Sequence, residues 1–311
     1  MLFKNVIFYR FTKPFSTSPE DLESALAEHE FQPCGSVETY RMGWTSPLGR
    51  HGVQFTHVTQ GNILLCLKRE EKLLPSTVIK DALAEKVAEI EDQQMRKVRK
   101  KEKDEIKEQL IYEMLPKAFT RSRLTYAYIS PKDGFIIVDA SSPKLAEDLT
   151  SFLRKTLGSL PVRIPAVNTA PAFVMTQWIA KDAHLPTGLV SQDDCELRDT
   201  GPEGGVVRCK GVALDSDEIA GHLTAGKQVV KLAMEWEENI SFLLQEDLSI
   251  KRLKFGDSFQ EQLDNTEADD AAARLDASFS LMSLELSRLL PALLEAFGGE
   301  DTSALIEQNA A

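Results

Sequence analysis

The amino-acid sequence predicts an α+β fold with mixed, mostly antiparallel sheets and a protruding long charged helix. Short stretches of apolar–polar alternation occur at the N-terminus, in the middle and again after residue 200. Helical periodicity with recognisable start and stop signals separates them. Over residues 75–114 that periodicity persists in a stretch too charged to be surrounded by core. With 311 residues, 42% of them hydrophobic, the chain can bury a real core and form one large domain or two to three small ones.

The first strand is read at residues 3–10. Ser18 then caps a helix with Pro19 at its first position, and Leu22 and Leu26 supply its apolar face. Gly35, Gly43, Pro47, Gly49 and Gly52 mark a loop-rich connection, after which residues 62–68 read as a strand entered through the Gly61-Asn62 turn. In the charged stretch, apolar residues recur at Val78, Ile79, Ala82, Leu83, Val87 and Ile90, and later at Ile106, Leu110 and Met114. Its middle, 93–105, has only Met95 and Val98 as large apolar residues, so a protruding helix or helical hairpin is expected there, broken at Leu115-Pro116.

Strands at 124–129 and 134–140 flank a tight turn built on Pro131 and Asp133-Gly134. Ser142 and Pro143 open a helix with Leu145, Leu149, Phe152, Leu153 and Leu157 on one face and Gly158 beyond its end. Further strands are expected at 172–178, 205–214, 228–236, 240–244 and 249–255. A short helix fits 216–225, with Asp215 and Glu218 in capping-box spacing. A final helix over 271–297 should kink at Pro291. The chain thus divides into an N-terminal α/β part (1–75), a helical tip region (76–123), a β-β-α unit (124–170), a second α/β region (171–256) and an acidic helical region (257–311).

The formal net charge of −12 argues against a nucleic-acid partner, because phosphate binding needs cations that displace condensed counterions. Its distribution reverses the argument. Residues 257–311 hold twelve acidic and two basic residues, which leaves −2 for residues 1–256, and residues 96–107 hold seven basic against three acidic. The chain start lacks a basic segment followed by a long apolar run, and no later stretch approaches the roughly 20 apolar residues of a bilayer span, so a cytoplasmic protein without a membrane partner is expected. Cys34, Cys66, Cys195 and Cys209 form no C-x-x-C pair and read as reduced structural cysteines. His29, His51, His57, His184 and His222 are scattered and read as surface or core residues, not metal ligands. Walker, dinucleotide, zinc-hydrolase and G-x-S-x-G motifs do not occur, so no cofactor, metal or catalytic residue is expected.

Three basic features carry the candidate binding residues. Arg96, Lys97, Arg99, Lys100, Lys101 and Lys103 spread around a helix, where several can face one phosphate backbone. The same run is also compatible with a solvated helix tied by Glu102, Asp104 and Glu105. Lys117, Arg121 and Arg123 surround Phe119, which either wedges against DNA or anchors an interface, or is core beside Leu115 and Pro116. Lys251, Arg252 and Lys254 form a basic strand; alternation puts Arg252 and Lys254 on one face and Lys251 opposite, which also suits a solvated edge.

FKNVIFYR at 3–10, RMGWTSPLG at 41–49, HVTQGNILLCLKREEKLLPSTVIK at 57–80, LPKAFTR at 115–121, GFIIVDASSPKLAEDLTSFLRKTLGSLPV at 134–162, GKQVVKLAMEW at 226–236 and IKRLKF at 250–255 resemble the RdgC family in order and spacing. The resemblance implies a crescent-shaped subunit, two of which meet at both ends as a ring homodimer with a positively charged hole. It further implies binding of double- and single-stranded DNA without strong sequence preference, restraint of RecA-promoted recombination, a role at replication forks, nucleoid association and no enzymatic activity. Phe119, followed by Arg121, falls at the family's tip contact. Lys210 joins the DNA-binding candidates, although Arg208-Cys209-Lys210-Gly211-Val212 stands where family members carry a more polar, more basic tract. Two other readings compete: a protein-interaction scaffold of the replication and recombination machinery with secondary DNA binding, and a nuclease. The latter would need a magnesium-binding carboxylate cluster, which the spacing of Asp133, Asp139 and Asp148 does not suggest.

Overall fold

The computed structural model describes residues 2–201, 204–264 and 270–303. The chain opens with β1 (Ile7–Phe11) and α1 (Pro19–Ala27), whose Ser18 cap accepts the Asp21 N–H as expected. Next come β2 (Tyr40–Thr45) and β3 (Thr56–Thr59), both inside the region read as loop. The glycines misled that reading. Gly43 sits in β2 because the backbone of Phe31 crosses it so closely that a Cβ would lie 2.3 Å from the Phe31 Cα. β4 (Asn62–Lys72) follows, and its outer edge takes β3 and then β2 end to end.

The charged stretch forms a helical hairpin, α2 (Ser76–Gln94) and α3 (Lys100–Met114), turned at Met95 in the left-handed conformation. Neither helix buries a residue. Ile79, Leu83, Val87 and Ile90 of α2 and Ile106, Leu110 and Met114 of α3 are half-buried and recur at helical spacing, a single seam between two helices that contact each other. A 3-10 turn at Leu115–Lys117 ends α3 where proline predicted a break. The chain then re-enters the sheet as β5 (Thr120–Ser130), which pairs with β4 from Ile63↔Ile129 out to Lys72↔Thr120. The hairpin is therefore an insertion at the far end of the β4–β5 ribbon, which β2 flanks as far as Glu71.

After β5 come β6 (Phe135–Val138), α4 (Pro143–Leu157) and β7 (Val162–Arg163). Ser142 occupies the N-cap of α4 without the side-chain hydrogen bond its identity suggests, whereas Gly158 takes the left-handed C-cap conformation as expected. The first sheet runs β2-β4-β5-β6-β1-β7, with β3 on β4, antiparallel throughout. One face packs Leu65, Ala127, Ile136 and Val138 against Leu22, Leu26, Leu149 and Leu153 of α1 and α4.

Residues 172–178, read as a strand, belong instead to α5 (Pro171–Ala180). An unbroken apolar run does not distinguish strand from helix; Pro171 at the first turn and burial of Met175, Trp178 and Ile179 at helical spacing do. β8 (Leu189–Arg198), unread because its middle is polar, pairs with β9 (Val206–Cys209), which is shorter than expected. α6 (Asp217–Thr224) starts at Ser216, one residue beyond the expected cap Asp215, and Ser216 makes no side-chain cap bond. β10 (Gln228–Trp236), β11 (Ile240–Gln245) and β12 (Ile250–Phe255) match their expectations closely and complete an antiparallel sheet ordered β12-β11-β10-β8-β9.

α7 (Asp257–Asp264) and α8 (Ala271–Ala296) end the described chain, and α8 continues through Pro291. By length and composition α8 could cross a membrane, contrary to the expectation that no stretch comes close. Its apolar side is used otherwise. Leu275, Phe279, Met282, Leu286, Leu289 and Leu293 join one core with Leu64, Tyr128 and Ile137 of the first sheet and Leu232, Met234 and Phe242 of the second. The sheets are also tied through backbone: Val6 and Ile250 exchange hydrogen bonds of 2.8 and 2.9 Å, and the Leu253 N–H donates to Lys4 O at 2.9 Å. Asp139 Oδ1 accepts the Lys4 and Asn5 N–H groups at 3.1 and 2.9 Å beside this junction.

Candidate nucleic-acid interface

The basic run lies at the free end of the hairpin. α2 has 19 residues, so at ~1.5 Å per residue the turn stands ~28 Å beyond the ribbon. Arg96 is committed within the turn, donating to both Glu102 oxygens at 2.6 and 2.7 Å and holding that carboxyl below the usual range. Val98 is the buried residue of the turn, and its N–H donates to Glu91 Oε1 at 2.9 Å. Lys97, Arg99, Lys100, Lys101 and Lys103 are exposed and make no ion pair among the described residues. Lys107, not singled out from the sequence, is exposed as well. At ~100° per residue, Lys100, Lys103 and Lys107 fall within an arc of ~60°, while Lys101 points elsewhere. The expected i,i+3 and i,i+4 ties from Glu102, Asp104 and Glu105 do not form among the described residues; Glu102 pairs instead across the turn with Arg96, six residues back.

A second basic cluster sits where the ribbon leaves the sheet. Arg69, Arg121, Arg123 and Lys144 surround a cavity of about 180 Å³ that they share with Glu71, Asp148 and Leu145. Cross-strand register creates it, since Arg69 is opposite Arg123 and Glu71 opposite Arg121. Arg121 is ion-paired with Glu71 at 2.6 Å, and Arg69 with Asp148 at 2.9 Å, with its guanidinium over the Tyr40 ring. Arg123 and Lys117 are exposed without an ion pair among the described residues. Phe119 is 85% exposed, whereas Leu115 beside it is buried, so the core reading of Phe119 is excluded. Its carbonyl accepts the Leu73 N–H at 2.8 Å, closing the ribbon at the root of the hairpin.

The third cluster lies on the second sheet. Arg208, Lys210, Lys231 and Arg252 line a cavity of about 320 Å³ together with Asp194, Glu196, Cys195, Cys209 and Leu243. Glu196 anchors it: burial pushes its carboxyl up, but Arg208 at 2.8 Å and Lys231 at 3.1 Å together hold it below the usual range. Arg252 is 4.0 Å from Asp194, and Lys210 is exposed without an ion pair among the described residues. Four cations face two carboxylates here, as in the cavity at the ribbon.

The strand 250–255 does not present its cations as alternation predicts. Arg252 has φ +53° and the register slips between Ser241 and Leu243, a bulge that sends Arg252 to the cavity with Lys231 and leaves Lys254 in a separate depression with Glu235 and Glu238. Lys251 is turned inward, donating to Ala140 O at 3.3 Å, and desolvation lowers the pKa of its ammonium. It serves the junction between sheets. Besides Lys107, sequence reasoning missed Arg208, Lys231 and Arg69, which strand pairing brings to the others, and Lys144, which α4 carries over the first sheet.

The sequence profile described as "Putative exonuclease, RdgC" matches residues 1–300. A protein of Aeromonas hydrophila is 47% identical over 303 residues, covering 97% of this chain and all of that protein. One of Tolumonas auensis is 47% identical over 300 residues, covering 96% and 99% of the two chains. One of Pseudomonas aeruginosa is 47% identical over 307 residues, covering 97% and 98%. Each is named "Recombination-associated protein RdgC". A match of this identity over nearly the whole length of both partners leaves one assignment: the chain belongs to the RdgC family.

Proposed function

We propose that this recombination-associated family member is a non-enzymatic DNA-binding protein that closes around duplex DNA as a ring homodimer, also binds single strands, and restrains RecA-mediated recombination. The observation that carries the reading is the free end of the hairpin, where Lys97 and Arg99 of the turn and Lys100, Lys101 and Lys103 of α3 are exposed and make no ion pair among the described residues. A cost in exposed charge repulsion has no use in packing and is offset when a polyanion binds. The cavities at the ribbon and on the second sheet add further cations to a chain whose total is −12. Contacts of this kind are to phosphates, which favours binding without sequence preference. The reading extends to a nucleoid-associated cytoplasmic protein acting at replication forks, with Phe119 at the contact between subunits.

Fluorescence anisotropy on mixed-sequence and scrambled duplexes, and on single strands, across a salt series tests the binding. Equal affinities with a steep negative salt slope are expected; a strong preference for one duplex, or no binding at low salt, overturns it. RecA-promoted strand exchange should fall as the protein is added at fixed DNA. The description of the family profile as an exonuclease is tested in the same tubes, with end-labelled duplex and magnesium: progressive loss of label from DNA termini would replace the non-enzymatic reading. If the protein instead retains replication or recombination proteins after its cations are neutralised, the scaffold reading takes over.

A further inference from the structure

All four cysteines are free thiols, and two of them meet. Cys195 of β8 and Cys209 of β9 are direct partners in the antiparallel ladder, and their side chains share a hydrogen bond. Opposed residues in such a ladder lie about 4.5–5.5 Å apart at Cα, within the roughly 4.4–6.8 Å that a disulfide spans. β9 is a four-residue strand at the edge of its sheet among the described residues, where a small adjustment is easiest. Both cysteines are about 5% exposed, yet both line the basic cavity with Arg208, Lys210, Lys231 and Arg252. That cavity, about 320 Å³, admits a small oxidant to both sulfurs. Cys34 and Cys66 have no such partner: Cys34 donates to Glu38 O, and Cys66 faces Tyr126 across β4 and β5.

We propose that Cys195 and Cys209 form a reversible thiol–disulfide pair, oxidised by a small hydroperoxide that enters the basic cavity. Cys209 stands on the edge strand β9 and Cys195 on the inner strand β8, so Cys209 is assigned as the attacking sulfur; burial and the neighbouring Cys209 push the Cys195 thiol up, which suits it to the second step. The Cys209 sulfur attacks a peroxide oxygen and the O–O bond breaks, giving a sulfenic acid and water, or an alcohol from an organic peroxide. The Cys195 sulfur then attacks that sulfenic sulfur. The S–S bond forms, the S–O bond breaks, and the departing hydroxyl takes the Cys195 proton as water. Two electrons pass from the thiols to the peroxide, and a dithiol reductant returns them. The pair does not depend on whether the cavity binds DNA.

The test uses the full-length reduced protein, titrated with hydrogen peroxide, alkylated, digested and mapped by mass spectrometry. A Cys195–Cys209 cross-linked peptide is expected, with Cys34 and Cys66 still alkylated, and dithiothreitol should restore both thiols. Recovery of alkylated Cys195 and Cys209 at peroxide levels that already oxidise Cys34, or cross-links of either one to Cys34 or Cys66, would overturn the proposal. The wild-type chain suffices for this readout. In Cys195→Ser, dimedone should trap a sulfenic acid on Cys209; an unlabelled Cys209 in that variant, with its fold intact by circular dichroism, would refute Cys209 as the attacking sulfur.

Discussion

Replacing Lys100, Lys103 and Lys107 together by glutamine removes the one cationic face of the hairpin that a phosphate backbone can follow. All three side chains are exposed and make no ion pair among the described residues, so the fold should lose no more than ~0.5 kcal/mol. The binding consequence is larger. Each phosphate contact contributes about 0.9 to the slope of log K against log salt, so three lost contacts flatten it by about 2.7. With the value at 1 M salt unchanged, that is an affinity loss of about 500-fold at 0.1 M. Anisotropy titrations of the variant and the parent on one duplex, from low to moderate salt, measure both quantities. Lys101→Gln, outside the arc, should move the slope by no more than about 0.9. A triple variant that binds with the parental slope would refute the placement of DNA along this face.

Phe119→Ala should leave unfolding midpoints unchanged, since the ring is 85% exposed, and weaken the dimer by about 2 kcal/mol, about 30-fold, in sedimentation equilibrium; an unaltered dimer removes Phe119 from the subunit contact. Phe279→Ala, by contrast, empties a fully buried site where the ring meets Tyr128 and His57, and urea titration should show a loss of about 3–5 kcal/mol. Burial holds the Asp139 carboxyl above its usual range against the opposing pull of the Asn5 and Lys4 N–H groups. The folded state therefore favours protonated Asp139, a contribution complete below the unfolded pKa and lost as pH rises through the folded one. Asp139→Asn keeps the Oδ1 acceptor for both N–H groups, so its stability should lack that decline across the same window in pH-dependent thermal melts.

Local signals carried the elements whose side chains answer to their own neighbours in sequence: α1 with Ser18 and Pro19, α4 with Gly158, and β10 through β12 with their alternation. They failed where distant chain decides. Gly43 reads as a loop residue until Phe31 is placed over it, and the apolar run of α5 reads as a strand until it is seen to bury Met175, Trp178 and Ile179 on one side. β8 hides behind Ser191, Gln192, Asp193 and Asp194, a polar run with no apolar alternation to read although only Asp193 of the four is exposed. The candidate interface divides the same way. The hairpin cations are contiguous and were legible, but Arg208, Lys231 and Arg252 come from three different strands and meet only by register. Arg252 and Lys254 were put on one face because alternation does not foresee the bulge at Arg252, whereas Lys251, expected opposite them, does turn away, inward to Ala140 O.

Among the described residues the hairpin's main attachment to the molecule is at its root, where Leu73 and Phe119 close the ribbon, and beyond it the two helices chiefly contact each other, as a cantilever. Nothing in either core depends on its length. Its reach is therefore adjustable in quanta: seven residues added to each helix carry the tip outward by ~10.5 Å and rotate it by only ~20°, so the cationic arc keeps its aim. Two or five added residues would swing the same arc by more than a quarter of a turn. The arm can thus be lengthened or shortened without refolding the body, but only in steps close to whole turns, such as about seven or eleven residues per helix, will it still point at the same target.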